Sequence, residues 1–131
     1  MLFSADQLVA HAIGDYICQS HWMANTKANR TLAAFWHVAT YGLPFLFFRP
    51  TLTAYLVIVG SHFLIDRYRL ARHLVRLKNL IAPWSEAKTA WQTADNTGYP
   101  AGTPPYLSIW LLIIADNLIH IVCNALALKY L

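Results

Sequence analysis

The stretch His11-Ala-Ile-Gly-Asp15 places a histidine and an aspartate four residues apart in an otherwise apolar segment. Residues i and i+4 lie one turn apart on the same face of an α-helix, so the imidazole and the carboxylate point in the same direction. His62-Phe-Leu-Ile-Asp66 repeats the pairing, Asp116-Asn-Leu-Ile-His120 carries it in reverse order, and a further apolar segment contains His37. These four segments are predicted to be helices that form one buried polar site.

The composition is typical of a membrane protein. Of the 131 residues, 57% are hydrophobic and only 12% are charged, whereas about a quarter of the residues in soluble domains are charged. The mean hydropathy of +0.39 agrees with this class. The first segment carries Asp6, His11 and Asp15, so it lacks the uninterrupted apolar core of a signal peptide and is expected to belong to the mature protein.

The pattern of apolar residues predicts an all-α fold, namely an integral membrane bundle of four helices. The first helix is predicted to run from a cap at Ser4 to about Ala24, and the others to span about residues 31–48, 52–66 and 106–130. Pro44 is expected to bend the second helix. Residues 1–131 are predicted to form a single transmembrane domain with a polar loop at about 83–105, long enough to be a lid or a partner surface.

A basic segment follows the third predicted helix. Residues 67–81 keep a helical period, and the third helix is predicted to be extended by them as a basic interfacial segment. If that helix is unbroken, its basic residues share a face with His62 and Asp66. We therefore predict that Arg69, Arg72 and Arg76 lie at the mouth of the site and bind an anionic substrate group. The alternative is an amphipathic helix that binds anionic headgroups of the membrane surface.

The positions of lysine and arginine predict the orientation in the membrane. With four spans, eight of the ten basic residues fall on one side. The positive-inside rule then places the basic segments in the cytoplasm and both termini outside it. Membrane lipids are the expected partners, and no nucleic-acid partner is expected. The sequence is compatible with an oligomer.

The polar residues of the predicted site suit a divalent transition metal. Imidazole and carboxylate ligands favour zinc, manganese or iron, and helical bundles build metal sites from such inward-pointing pairs. Seven ligands exceed what one tetrahedral zinc needs, so either two ions bind or some residues orient the ligands. Gln19 and Tyr41 are the nearest candidates for orienting them. The seven predicted ligands are His11, Asp15, His37, His62, Asp66, Asp116 and His120.

Two other interpretations of the polar residues remain open. One is a metal-free set of His–Asp hydrogen bonds that connects the four helices. The other is a relay for protons or ions, because ionisable groups inside membranes often mark such pathways. His21 and His73 lie near the ends of predicted helices and are expected to be surface residues rather than ligands.

Several motifs occur in combination along the chain: His11-xxx-Asp15-Tyr-xx-Gln19, Trp22-Met-Ala24 with Lys27, His37, His62-Phe-Leu-Ile-Asp66 and Asp116-Asn-xx-His120. Together they resemble an uncharacterised bacterial and phage membrane-protein family, domain of unknown function 3307. The resemblance covers nearly the whole chain outside residues 83–105 and implies a multi-pass protein of the bacterial inner membrane. The family usually has glutamine at the position of Asn117, a third residue expected to orient the ligands. The resemblance implies no activity.

The predicted function is that of a membrane-embedded metal-dependent hydrolase. Metal ions activate water at neutral pH and polarise a phosphoryl or acyl group, and Asp15, Asp66 and Asp116 are the predicted catalytic carboxylates. The substrate is expected to be a lipid or a membrane-proximal phosphoester at the cytoplasmic face. The alternative is a non-enzymatic protein, either an ion or proton pathway or an interaction protein with a polar His–Asp core. An ion or proton pathway needs access from both sides of the membrane. The polar residues of the predicted helices form a stripe that reaches only one side, which favours the enzyme.

Overall fold

The computed structural model describes residues 2–131, and its regular structure is helical. Within this range the only β feature is an isolated bridge between Ala94 and Pro100. The all-α fold class is therefore confirmed. The chain divides into two compact units, one formed by the residues up to Tyr68 together with His120–Leu131, and the other by Arg69–Ile119. The prediction of a single domain stays a prediction.

The first unit contains four helices and the end of a fifth. They are α1 (Ala5–Ala12), α2 (His21–Thr26), α3 (Thr31–Tyr41), α4 (Leu52–Tyr68) and the last part of α7 (Pro105–Tyr130). A π-helical turn, Ile13–Ile17, continues α1, and a 3₁₀-helix, Leu43–Phe48, follows α3. The apolar core of this unit contains Ala10, Tyr41, Phe45, Ile58 and Ala127.

The first predicted helix ends earlier than expected. Ser4 caps α1, as predicted, by accepting a hydrogen bond from the Gln7 backbone N–H at 3.2 Å. The helix does not continue to Ala24, because Ser20 takes an extended conformation and caps α2 by accepting from the Met23 N–H at 3.3 Å. Asp15 lies in the π-helical turn before this break, a geometry that occurs frequently at functional sites.

Gly14 allows the π-helical turn and α3 to approach closely. A Cβ atom at this position would lie 2.7 Å from both the backbone oxygen and the ring of Tyr41. We expect Gly14→Ala to lower the free energy of unfolding by about 1–3 kcal/mol, the usual cost of overpacking. Gly60→Ala is the control, because no atom lies within 4 Å of a Cβ there. Thermal unfolding in detergent measures both, and equal stability of the two variants would contradict the close packing.

The third predicted helix is not extended by the basic segment. Its helix, α4, ends at Tyr68, and Arg69 takes a left-handed conformation with φ of 52° before α5 (Leu70–Lys78) begins. A left-handed residue cannot continue an α-helix. The prediction of an unbroken helix was therefore wrong, and the face that carries His62 and Asp66 does not continue in helical register to Arg76.

The second unit contains α5, a 3₁₀-helix (Asn79–Ile81), α6 (Trp84–Thr93) and the first part of α7. The prediction of a polar loop at 83–105 was wrong for its first half, because α6 forms there. Pro83 stands at the cap position and Glu86 lies in the first turn, both favourable at a helix start. A turn follows, in which the hydroxyl and N–H of Thr97 donate to Asp95 and lower the pKa of its carboxyl group.

Two helical stretches of the described chain are long and apolar enough to cross a membrane: Thr31–Phe48 and Pro105–Tyr130. The first includes the 3₁₀-helix that begins beside Pro44, where the missing proline N–H ends the regular α-helix. The α-helix thus gives way to a 3₁₀-helix at Pro44, and the predicted bend itself stays a prediction. The segments at 5–24 and 52–66 do not meet the same test, so the four-span bundle stays a prediction.

Candidate metal centre

Three helical elements of the first unit bring four predicted ligands together. Asp15 comes from the π-helical turn, His37 from α3, and His62 and Asp66 from successive turns of α4. All four residues are buried, and one ligand atom from each lies within 4.8 Å of the others. We call these four residues the ligand cage.

Most of the distances within the ligand cage are close to those around one metal ion. The Nε2 atoms of His37 and His62 are 2.9 Å apart. His37 Nε2 lies 3.2 Å from Asp15 Oδ1 and from Asp66 Oδ2, and His62 Nε2 lies 3.6 and 3.1 Å from the same two oxygens. Bonds of about 2.0–2.2 Å in a tetrahedral site place ligand atoms about 3.3–3.6 Å apart. The residues present therefore fit a divalent ion of the zinc class.

Two further predicted ligands stand behind the carboxylates. Asp66 turns its other oxygen, Oδ1, toward His120 Nε2 at 3.4 Å. Asp15 turns Oδ2 toward His11 Nε2 at 3.9 Å. In this arrangement one oxygen of each carboxylate faces the ligand cage and the other faces a histidine. Histidines in these positions can orient the carboxylates rather than bind the ion themselves.

Tyr41 links three helices beside the ligand cage. Its hydroxyl lies 3.0 Å from His11 Nδ1 and accepts a hydrogen bond from the Asn124 amide at 2.6 Å. Because the amide donates to it, the hydroxyl can donate to His11, which then carries its proton on Nε2, facing Asp15. The Tyr41 ring also stacks on the ring of His62, with centroids 3.6 Å apart. Tyr41 thus orients both a cage ligand and a carboxylate partner.

Replacing Tyr41 by phenylalanine removes this hydroxyl and keeps the stacked ring. We expect a loss of about 1–3 kcal/mol in the free energy of unfolding, because the buried Asn124 amide and His11 lose their shared partner. Tyr106→Phe is the control, because Tyr106 is 72% exposed. Thermal unfolding checks the difference, and a Tyr41→Phe variant as stable as the control would show that the hydroxyl does not organise the site.

Lys27 is a charged member of the site that was not predicted as a site residue. Its Nζ lies 2.8 Å from Asp66 Oδ2, 3.6 Å from Asp15 Oδ1 and 3.2 Å from His37 Nε2. Asn124, which donates to the Tyr41 hydroxyl, was likewise not predicted as a site residue. The presence of Lys27 in the motifs was the one sequence signal for its role, because neither its spacing nor its neighbours distinguish it from a surface lysine.

The other predicted site residues lie outside the ligand cage. Gln19 is in the link before α2, and its buried side-chain oxygen accepts no hydrogen bond from the described residues. Asp116 is half-buried in the part of α7 that belongs to the second unit, one turn before His120. The Asn117 amide donates to the backbone oxygen of Ile113 in its own helix at 2.7 Å.

The three predicted substrate-binding arginines belong to the second unit. Arg69 donates to the backbone oxygen of Asn96 at 3.4 Å, and Arg76 to that of Trp91 at 2.9 Å. Within residues 2–131, none of Arg69, Arg72 and Arg76 forms an ion pair with a carboxylate. That these arginines bind an anionic substrate group stays a prediction.

Comparison with known proteins identifies a family but no activity. The family described as "Protein of unknown function (DUF3307)" matches residues 3–95 of the 131-residue chain. The chain belongs to this family. The DUF3307 match includes the ligand cage, His11 and Lys27, and it ends before Asp116 and His120, so the resemblance at those two residues stays a prediction. No curated protein matches the chain, and no solved structure does.

Proposed function

We propose that this DUF3307 protein is a membrane-embedded, metal-dependent hydrolase that cleaves a lipid or a membrane-proximal phosphoester at the cytoplasmic face. The ligand cage is the observation that carries the proposal. Two imidazole nitrogens and two carboxylate oxygens, from three separate helical elements, converge on one point in a buried interior. Such a concentration of ionisable groups is costly unless it is paired or holds a metal.

The distribution of apolar residues supports the membrane part of the proposal. Within the Thr31–Phe48 and Pro105–Tyr130 helices, only 39% and 22% of the tested windows are buried. Large apolar side chains such as Phe35, Trp36, Trp110 and Leu118 are more than half exposed. The two long apolar stretches thus expose large apolar side chains, whereas the ligand cage buries polar ones, an arrangement that suits a lipid environment better than water. We propose that the helices of the four predicted spans cross the bacterial inner membrane.

The residues of the site have separate roles in the proposed reaction. Asp15, His37, His62 and Asp66 would hold a divalent ion, which would supply Lewis acidity for activating water and polarising a phosphoryl or acyl oxygen. His11 and His120 hold the orientation of Asp15 and Asp66. Asp116 is proposed as a third catalytic carboxylate. Arg69, Arg72 and Arg76 are proposed to hold the anionic substrate group through charged hydrogen bonds.

An assay with defined lipids tests the hydrolase proposal. The protein, loaded with zinc or manganese, is reconstituted into vesicles of phosphatidylglycerol containing phosphatidic acid, and released phosphate and glycerol-containing products are measured. We expect metal-dependent release that Asp66→Asn abolishes and Asp6→Asn, at an exposed carboxylate, leaves intact. Protein that binds metal but releases no product from either lipid would contradict the proposal.

Two observations favour a non-enzymatic protein with a polar core as the second candidate. Lys27 already pairs with Asp66 at 2.8 Å, so part of the buried negative charge is balanced without a metal. The Nδ1 atoms of His37 and His62 also have no hydrogen-bond partner among residues 2–131, whereas a metal-bound histidine usually donates its second N–H to an acceptor. If the purified protein binds no metal after incubation with zinc or manganese, this candidate would be favoured.

The proposed orientation gives a prediction for the segment between α4 and α7. A single cysteine introduced at Thr93, in a variant without Cys18 and Cys123, is expected to be shielded from an impermeant thiol reagent added to intact cells. The reason is the excess of basic residues on that side of the membrane. A cysteine at the C-terminal Leu131 is the control and is expected to react. Reaction at position 93 with protection at position 131 would invert the orientation.

A further inference from the structure

Lys27 stands against one face of the ligand cage. It follows α2 directly, and its backbone N–H donates to the Met23 oxygen at 2.9 Å, which closes that helix. The neighbouring link is held by Arg67, which donates to the Ala28 backbone oxygen at 2.7 Å. The Lys27 side chain is 19% exposed, whereas those of Asp15 and Asp66 are 8% and 4% exposed. The lysine therefore connects a buried site to the surface.

The contacts of Lys27 define which face of the ligand cage it covers. Its Nζ lies 2.8, 3.2 and 3.6 Å from Asp66 Oδ2, His37 Nε2 and Asp15 Oδ1. These are three of the four atoms of the ligand cage, and the fourth is His62 Nε2. The ammonium group thus shares both cage carboxylate oxygens with the position that a metal ion would take.

We infer that the Lys27 ammonium and a divalent ion are alternative counter-cations for Asp15 and Asp66. This inference rests on the metal centre of the proposed function. Without metal, the ammonium group of Lys27 balances part of the negative charge of the two carboxylates. It also holds Asp15 and Asp66 together across two helical elements. When an ion binds, two cations that share the same oxygens repel each other strongly, because buried charges a few ångströms apart are poorly screened. Lys27 must then withdraw, and this displacement weakens metal binding.

The side chain is suited to such a displacement. Lysine carries its charge on a flexible four-carbon stem, and the charge is strongly hydrated once it reaches water. The partial exposure of Lys27 gives the ammonium a route to the surface without unfolding of α2. Lys27 consequently sets the affinity of the site for divalent ions, and its withdrawal uncovers the cage face that Asp15, His37 and Asp66 form.

Metal titration of Lys27 variants tests this inference. Zinc affinity is measured in detergent by competition with a chromogenic chelator, using Lys27→Met and, in case that variant folds poorly, Lys27→Gln. We expect both to bind zinc at least tenfold more tightly than the wild type, and to melt at a lower temperature when no metal is present. Lys27→Arg keeps the charge and is expected to show no tighter binding. Arg30→Met removes an exposed charge three residues away and is expected to change neither property.

The outcomes separate this inference from the proposed hydrolase. Equal or weaker zinc binding by both neutral variants would overturn the inference, even if lipid hydrolysis is observed. Tighter binding by both variants, without hydrolysis in any protein, would support the inference and contradict the hydrolase. If neither the wild type nor the neutral variants bind zinc, both the proposed metal centre and this inference are contradicted.

Discussion

Replacing Asp66 by alanine is expected to abolish metal binding and to lower the free energy of unfolding by about 3–5 kcal/mol, the cost of breaking a buried ion pair by removing one partner. The side chain is buried and holds cationic or imidazole groups on both of its oxygens. Its partners are Lys27, His37, His62 and His120. Without the carboxylate, the two cage histidines lose a common partner and Lys27 loses its shortest ion pair.

Matched variants separate the charge of Asp66 from its shape. Asp66→Asn keeps the size of the side chain and is expected to lose metal with a smaller loss of stability, because the amide can still form hydrogen bonds. Asp6→Ala removes an exposed aspartate from α1 and is expected to change neither metal content nor melting temperature. Elemental analysis and thermal unfolding in detergent measure the two effects. Normal metal content in Asp66→Ala would exclude Asp66 from the centre.

His62→Ala is expected to have the second-largest effect, loss of metal together with about 2–4 kcal/mol of stability, in the range of large-to-small core substitutions. The His62 ring is fully buried and lies between the rings of Tyr41 and His120, at centroid distances of 3.6 and 3.9 Å. Its removal therefore opens a cavity in a stack of three rings and deletes one cage ligand. His73→Ala and His21→Ala change exposed histidines and are expected to affect neither property.

Combining His62→Ala with Asp66→Ala tests whether the site acts as one unit. If both residues hold the same ion, the first substitution already empties the site, so the double variant should lose less stability than the sum of the single losses. Additive, metal-insensitive losses of about 1 kcal/mol each, as found for isolated interhelical hydrogen bonds, would mean that the shared centre does not exist.

One part of the ligand cage, the pairing of His62 with Asp66, could be predicted because it depends on local geometry. His62 and Asp66 lie one turn apart on α4, and that relationship follows from the sequence spacing alone. His37 was predicted from its place in an apolar helix. The spacing did not predict that His11 and His120 face the outer carboxylate oxygens, because that division depends on how separate helices pack.

Other features depend on contacts that the sequence pattern does not carry. Lys27 reaches the ligand cage from the position directly after α2. This short helix begins where Ser20 interrupts the first predicted helix. The break at Arg69 depends on one residue taking a left-handed conformation that only glycine and, less often, asparagine adopt readily. The helical period of the basic residues therefore predicted an unbroken helix. The helix α6 was not predicted, because turn-forming residues follow it closely.

We propose that Asp15, His37, His62 and Asp66 hold one divalent metal ion. The most direct test is elemental analysis of detergent-purified protein after dialysis against a fixed free concentration of zinc or manganese, with Asp66→Ala treated in parallel. We expect about one ion per wild-type chain and almost none in the variant. Absence of bound metal from the wild type, or equal metal content in the two proteins, would contradict it.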